Sequence, residues 1–225
     1  MHSTVVSSVY AVCSDAAGVA GNIFAFVLFL SPIPTFRRII RNGSTEQFSG
    51  MFHIYAFLNC LICLWYGMPL VSPGIILVAT VNSIGAIFQL IYITIFVVYA
   101  EKPMKLKMLG FLISVSAVFA SVVFVSLRFL DAPSRQLFVG CLSASPLLII
   151  NLVMKTRSVE YMPFSLSLAT FLMSLAFFVY GMLKHDAFIY VPNGIGTGLG
   201  TLQLALYAYF SDASREELKH PLIGP

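Results

Sequence analysis

The chain has 225 residues, of which 59% are hydrophobic and 10% charged, with a mean hydropathy of +0.91. Soluble domains carry roughly 25% charged residues, so this polar inventory excludes a water-soluble fold. The formal charge of +4 is dispersed in loops between apolar runs, which excludes a basic face for nucleic acid.

Runs free of Asp, Glu, Lys and Arg set the predicted elements. A membrane helix needs about 20 apolar residues, and seven such spans are predicted. MHSTVVSSVY lacks a basic segment, so no cleaved signal peptide is expected. The first span, 9–31, carries Asp15 near one end, where a carboxylate facing water or headgroups costs little and a buried proton carrier would cost much. Gly21-Asn22 suits close packing and a bond to a neighbouring helix. Pro32 and Pro34 close this span: Pro34 reads as a terminator, Pro32 as a break or kink. The second span, 47–67, carries His53, read as an interfacial side chain, and Trp65 and Tyr66 at its far end, where aromatic belts are ordinary. Cys60 and Cys63 spell C-x-x-C, but without a second pair or a spaced histidine they read as small packing residues rather than a metal site. A Pro/Gly-rich turn leads to the third span, 73–99, with Asn82 and Gly85 on one face. The fourth, fifth, sixth and seventh spans are 108–127, 137–154, 163–183 and 188–210. A short polar tail, disordered after a turn or two, is expected to follow from 211.

Basic residues divide unevenly between the two faces. Arg37, Arg38, Arg41, Lys102, Lys105, Lys107, Lys155, Arg157, Arg215 and Lys219 fall on one, Arg128, Arg135 and Lys184 on the other. The positive-inside rule makes the first face cytosolic, with the N-terminus non-cytosolic and the C-terminus cytosolic.

The chain is also duplicated. FLNCLICLWYGM (57–68) aligns with FLMSLAFFVYGM (171–182) at an offset of 114, with six identities in twelve positions where chance gives about one. After a three-residue deletion the register resumes at 111: Asn82 meets Asn193, Ile84 meets Ile195 and Gly85 meets Gly196. Ser31-Pro32 meets Ser145-Pro146, and Ser44 and Glu46 meet Ser158 and Glu160. Such a period is a duplicated half rather than a solenoid unit. Three spans per half with one extra crossing between them give a 3+1+3 order, in which the extra span restores a parallel orientation. The expected fold class is therefore an all-α membrane protein of seven transmembrane helices: two parallel three-helix bundles, 1–100 and 131–211, an inversion-linker helix, 101–130, and a cytosolic tail, 212–225.

The sequence resembles the SWEET sugar transporters nearly throughout and in order. The resemblance rests on LSP (30–32), STEQFSG (44–50), AFLNC (56–60), WYG (65–67), SASPL (143–147), KTRSVEYMPFSLS (155–167) and PNGIGTGLGTLQL (192–204); within the family it looks most like a small plant clade often found on vacuolar membranes. It implies a bidirectional facilitative uniporter, for glucose-like monosaccharides, working by alternating access. The implied binding residues are Asn82, Asn193, Cys63 and Phe177. Carboxamides both donate and accept, as sugar hydroxyls do, and a phenylalanine ring can stack on the sugar's apolar face. The alternative is that the asparagines only bond neighbouring helices.

The resemblance also implies an outer gate, Tyr66 with Asp186, and an inner gate and hinge at Pro32, Pro146 and Pro163. At the fourth inner-gate position this chain has Phe52 where the family usually has proline, so the hinge of that helix is in question. No cofactor, metal or nucleic-acid partner is expected, and no enzymatic residue set is found at depth. The expected partners are a small-molecule sugar, the lipid bilayer and further copies of the chain, with the vacuolar membrane preferred over the plasma membrane. A seven-span receptor without transport is the competing reading; it shares the span number and sidedness but does not require duplicated halves.

Overall fold

The computed structural model describes residues 2–46, 48–156 and 164–217, with side chains at 8–46, 48–144, 164–205 and 207. Eight helices make up the described chain: α1 (His2–Leu30), α2 (Ile33–Asn42), α3 (Met51–Gly67), α4 (Ile76–Tyr99), α5 (Lys102–Arg128), α6 (Ala132–Thr156), α7 (Phe164–Leu183) and α8 (Ala187–Glu217). Seven are the spans, in the expected 3+1+3 order; α2 is an addition.

Local chemistry explains where α1 stops. Pro32 has no N–H for the carbonyl of Leu28. That carbonyl instead accepts the Ser31 N–H at 3.1 Å and the Ser31 hydroxyl at 2.7 Å. The carbonyl of Phe29 accepts the Tyr92 hydroxyl from α4 at 2.5 Å. Pro34 is not the terminator expected of it. It lies in the first turn of α2, where the missing N–H has no helical partner to lose.

Helix α2 is amphipathic. Phe36 and Ile39 are buried against Ile54, Tyr92, Phe96 and Met108, while Arg37, Arg38 and Arg41 stay exposed. It ends at Gly43, whose φ of +64° suits a residue without a Cβ. Glu46 then closes the loop with a two-pronged bond to Arg38, 2.6 and 3.1 Å, and accepts from Asn42 at 2.6 Å. These partners hold the Glu46 carboxyl below its usual range, the Arg38 bonds most strongly.

Packing repeats in both halves. In the first, α4 packs on α3 and on α1; in the second, α8 packs on α7 and on α6. The halves meet along two seams, α1 against α7 and α3 against α6, and α5 lies against α3, α4 and α6. The contacts also fix direction. Tyr10 and Asp15 of α1 meet His185 and Lys184 beyond the end of α7. Arg135, near the start of α6, bonds the carbonyls of Ser126 at the end of α5 and Leu70 in the α3–α4 turn. Thus α1 and α6 begin, α3 and α7 finish, and α4 and α8 begin at one end, called here the Asp186 end. The halves are parallel, and α5 is the crossing that makes them so.

Duplication extends to single contacts. A Cβ on Gly67 would lie 2.5 Å from the backbone nitrogen of Ala79, and one on Gly181 would lie 2.6 Å from that of Tyr190. Ala79 and Tyr190 are 111 residues apart, so both halves use a glycine to let the second helix touch the third helix's backbone. At the Pro32 end the match is looser: α1 breaks at Pro32, whereas α6 runs uninterrupted past position 146. The side chain of Pro146, and all of Pro163 and Glu160, lie outside the described residues. Helix α8 continues to Glu217, beyond the expected start of the tail at 211, through a stretch containing Ala213, Arg215, Glu216 and Glu217, mostly good helix formers.

Candidate functional site

The glycine crossings set the level of the candidate site. Four residues back along the second helix from Gly67 is Cys63; three residues on along the third helix from Ala79 is Asn82. At 1.5 Å per residue these steps are about 6 and about 4.5 Å, so both side chains leave their helices at nearly one level. The same steps from Gly181 and Tyr190 reach Phe177 and Asn193. Asn82 and Asn193 each lie six residues into their helices, about 9 Å from the Asp186 end.

The two amides make the same bond. Asn82 Nδ2 donates to the carbonyl of Val78 at 2.8 Å, and Asn193 Nδ2 donates to that of Ile189 at 2.8 Å. Both are half-buried. Among the described residues no protein donor is assigned to either Oδ1, leaving an acceptor and one N–H on each amide. In α8 the buried Pro192 precedes Asn193, where α4 has Val81. That proline removes the bond to the Phe188 carbonyl one turn back.

Cys63 and Phe177 face the seams. Both are buried. Cys63 Sγ lies 3.8 Å from the Ser143 carbonyl on α6, and the Phe177 ring lies where a Cβ on Gly21 of α1 would be 2.8 Å away. Beside Gly21, Asn22 donates to the carbonyls of Gly18 and Leu77 at 2.9 and 3.0 Å and accepts from the Thr80 hydroxyl at 3.0 Å, so this amide is spent on helix packing. Among the described residues no bond joins Asn82 or Asn193 to Cys63 or Phe177.

Tyr66 and Asp186 do meet. The phenol lies 2.7 and 2.9 Å from the two carboxylate oxygens, and both residues are buried. Asp186 also caps α8, accepting the Phe188 N–H at 3.0 Å. Burial holds its carboxyl above the usual range, with the Tyr66 hydroxyl the largest opposing influence. The mate of Tyr66, Tyr180, meets Leu77, in the first turn of α4, over Gly18 of α1. Each repeat tyrosine thus addresses the start of the other half's third helix.

At the opposite end, Pro32 marks the helix break and Phe52 lies in the first turn of α3, exposed. His53, expected at the interface, instead turns inward: its Nδ1 is 2.7 Å from Gln89 Oε1, with Phe36, Phe52 and Tyr92 around the ring. Trp65 also does more than face lipid, since its indole N–H donates to Ser126 on α5 at 3.0 Å. Sequence reasoning missed Tyr10, Lys184 and His185. The signal for Lys184 and His185 was the polar triplet Lys184-His185-Asp186 between two apolar spans; Tyr10 carried none.

Fold and repeats define a class: an all-helical membrane protein of two parallel three-helix units with paired polar residues at one depth. Comparison with known proteins narrows it. The model of a family described as sugar efflux transporters for intercellular exchange matches twice, over 15–104 and 137–215, one copy per half. The bidirectional sugar transporter SWEET2a of Sorghum bicolor is 61% identical, covering 96% of this chain and 93% of the relative. SWEET2 of Arabidopsis thaliana is 58% identical, covering 94% and 93%. A solved structure of a eukaryotic SWEET transporter superposes with a TM-score of 0.84 at 51% identity, covering 91% of this chain and 99% of that one. The chain belongs to the SWEET family.

Proposed function

We propose that the chain carries glucose-like monosaccharides across a membrane, in either direction and down a gradient, by opening one central site alternately to two sides. The observation that carries this reading is the matched pair Asn82 and Asn193: repeat mates at one depth, held by the same backbone bond, each keeping donor and acceptor capacity. A hexose is uncharged and rich in hydroxyls that donate and accept, so it needs amides rather than ions. Phe177 offers a ring to the apolar sugar face and Cys63 a small apolar wall. The relatives named above are called bidirectional sugar transporters, which supports the same reading.

Closure at the Asp186 end falls to Tyr66 and Asp186. At the other end it falls to the family positions Pro32, Pro146 and Pro163, with Phe52 in place of the fourth proline. The unit boundaries, 1–100, 101–130, 131–211 and 212–225, belong to the proposal. So does an orientation with the Pro32 end cytosolic, supported by the ten-to-three bias of basic residues. A vacuolar location and homo-oligomeric assembly rest on the resemblance alone. The function is tested by radiolabelled flux into proteoliposomes across a panel of mono- and disaccharides. Saturable glucose-like flux with little disaccharide flux is expected; a protein that moves no sugar contradicts it.

A further inference from the structure

The polar turn between α7 and α8 makes one use of three consecutive residues. Lys184 Nζ lies 3.5 Å from Asp15 Oδ1. His185 Nε2 lies 3.3 Å from the Tyr10 hydroxyl, with the rings stacked at 6.2 Å. Asp186 accepts the Tyr66 hydroxyl. The turn belongs wholly to the second half, and all three partners belong to the first: two on α1, one on α3. His185 has a φ of +54°, a left-handed conformation uncommon for a side-chain-bearing residue. That conformation ends α7 and lets neighbouring side chains leave in different directions. Lys184 is steadied from its own half by the Tyr180 ring, 5.7 Å from Nζ.

We propose that Lys184, His185 and Asp186 form a three-point latch between the halves, in which Tyr10–His185 and Asp15–Lys184 are gating contacts of the same standing as Tyr66–Asp186. The inference rests on the alternating-access reading. Parting the halves at this end to admit a solute must break all three contacts, because one rigid turn carries them. The three differ in environment. Tyr66–Asp186 is buried, whereas Tyr10 and the Asp15 carboxylate are exposed, so water reaches the outer two contacts first. Opening begins at Tyr10–His185 and Asp15–Lys184 and finishes at Tyr66–Asp186.

The test locks the outer contacts covalently. In a background with the two exposed cysteines replaced, Cys13→Ser and Cys141→Ser, the pairs Asp15→Cys with Lys184→Cys and Tyr10→Cys with His185→Cys are reconstituted separately. Each is treated with a reducible bis-methanethiosulfonate cross-linker. Cross-linking of either pair, scored by mass, is expected to cut glucose flux at least tenfold relative to the same protein untreated, with recovery on adding dithiothreitol; each single-cysteine control, whatever its own flux, is unaffected by the reagent. Cross-linked protein that transports at the untreated rate overturns the latch and leaves the transport reading standing. A background protein with no flux before any cross-linker overturns the transport reading and the latch with it.

Discussion

Tyr66→Phe removes one oxygen from a side chain that is 1% exposed. The ring keeps its edge contact with Phe188, centroids 5.9 Å apart, so little packing is lost. What goes is the hydroxyl 2.7 and 2.9 Å from the two Asp186 oxygens. Asp186 keeps the Phe188 N–H at 3.0 Å and is left one partner short rather than bare. A hydrogen bond to a charged group contributes about 1.5–3 kcal/mol, so a loss of about 2 kcal/mol from the closed state is expected. At 1.4 kcal/mol per tenfold, the balance between closed and open at this end moves about 30-fold. Trp65 is the chain's one tryptophan and the next residue, so its fluorescence reports unfolding locally. The melting temperature should fall by about 4–8 °C, taking 2–4 °C per kcal/mol for a chain of this size. In the background lacking Cys13 and Cys141, an aqueous thiol reagent should label Cys63 up to about 30-fold faster. Unchanged melting together with unchanged labelling would refute the idea that this bond holds the end shut.

Other consequences are read more briefly. Burial raises the Asp186 carboxyl, so the closed form binds that proton more tightly than a solvated carboxyl of pKa about 3.9 does. Its contribution is fully present below that ordinary value and is lost as pH rises through the raised one; the melting difference between the parent and Asp186→Asn, followed across acid pH, should show that slope, and a slope of opposite sign contradicts it. Gly67→Ala and Gly181→Ala each drive a Cβ to within 2.5–2.6 Å of a backbone nitrogen, and overpacking of this kind costs about 1–3 kcal/mol; both should melt several degrees lower, and a neutral result would show that the helices part easily. Arg135 reaches three carbonyls, of Ser126, Leu70 and Leu130, so Arg135→Lys, which lacks the planar fork, should lower the melting temperature nearly as much as Arg135→Ala. Phe52→Pro places a proline in the first turn of α3, where no helical bond is lost; stability should change by less than about 0.5 kcal/mol, leaving any change in flux to the hinge.

Much of this architecture was legible in the sequence because lipid makes strong demands. Charge-free runs marked the spans, and the 114 and 111 offsets brought together pairs the coordinates also pair: Tyr66 with Tyr180, Gly67 with Gly181, Asn82 with Asn193. The glycines make the same crossing and the asparagines the same backbone bond in each half. What stayed hidden depends on relations between helices. Helix α2 was obscured because Pro32 and Pro34 read as stops and the arginines as a loop, although Phe36 and Ile39 already stood three apart on one face. The turn of His53 toward Gln89 depends on α3 and α4 lying side by side, which periodicity does not report. Lys184 counted only toward sidedness and His185 carried no reading, because their partners Asp15 and Tyr10 lie about 170 residues away on α1. The seven residues by which α8 runs past Phe210 are about two turns, which the sequence allowed the polar tail before order was lost.

The central claim is that Asn82 and Asn193 hold a neutral, hydroxyl-rich solute between the two halves. The most direct measurement is glucose counterflow in proteoliposomes of the purified chain beside Asn82→Ala and Asn193→Ala, with folding checked by elution profile and Trp65 fluorescence. The account predicts saturable counterflow for the parent and a fall of at least about tenfold in each variant, the cost of roughly one lost hydrogen bond to the sugar, with folded protein in all three. Parental flux in both folded variants would contradict it.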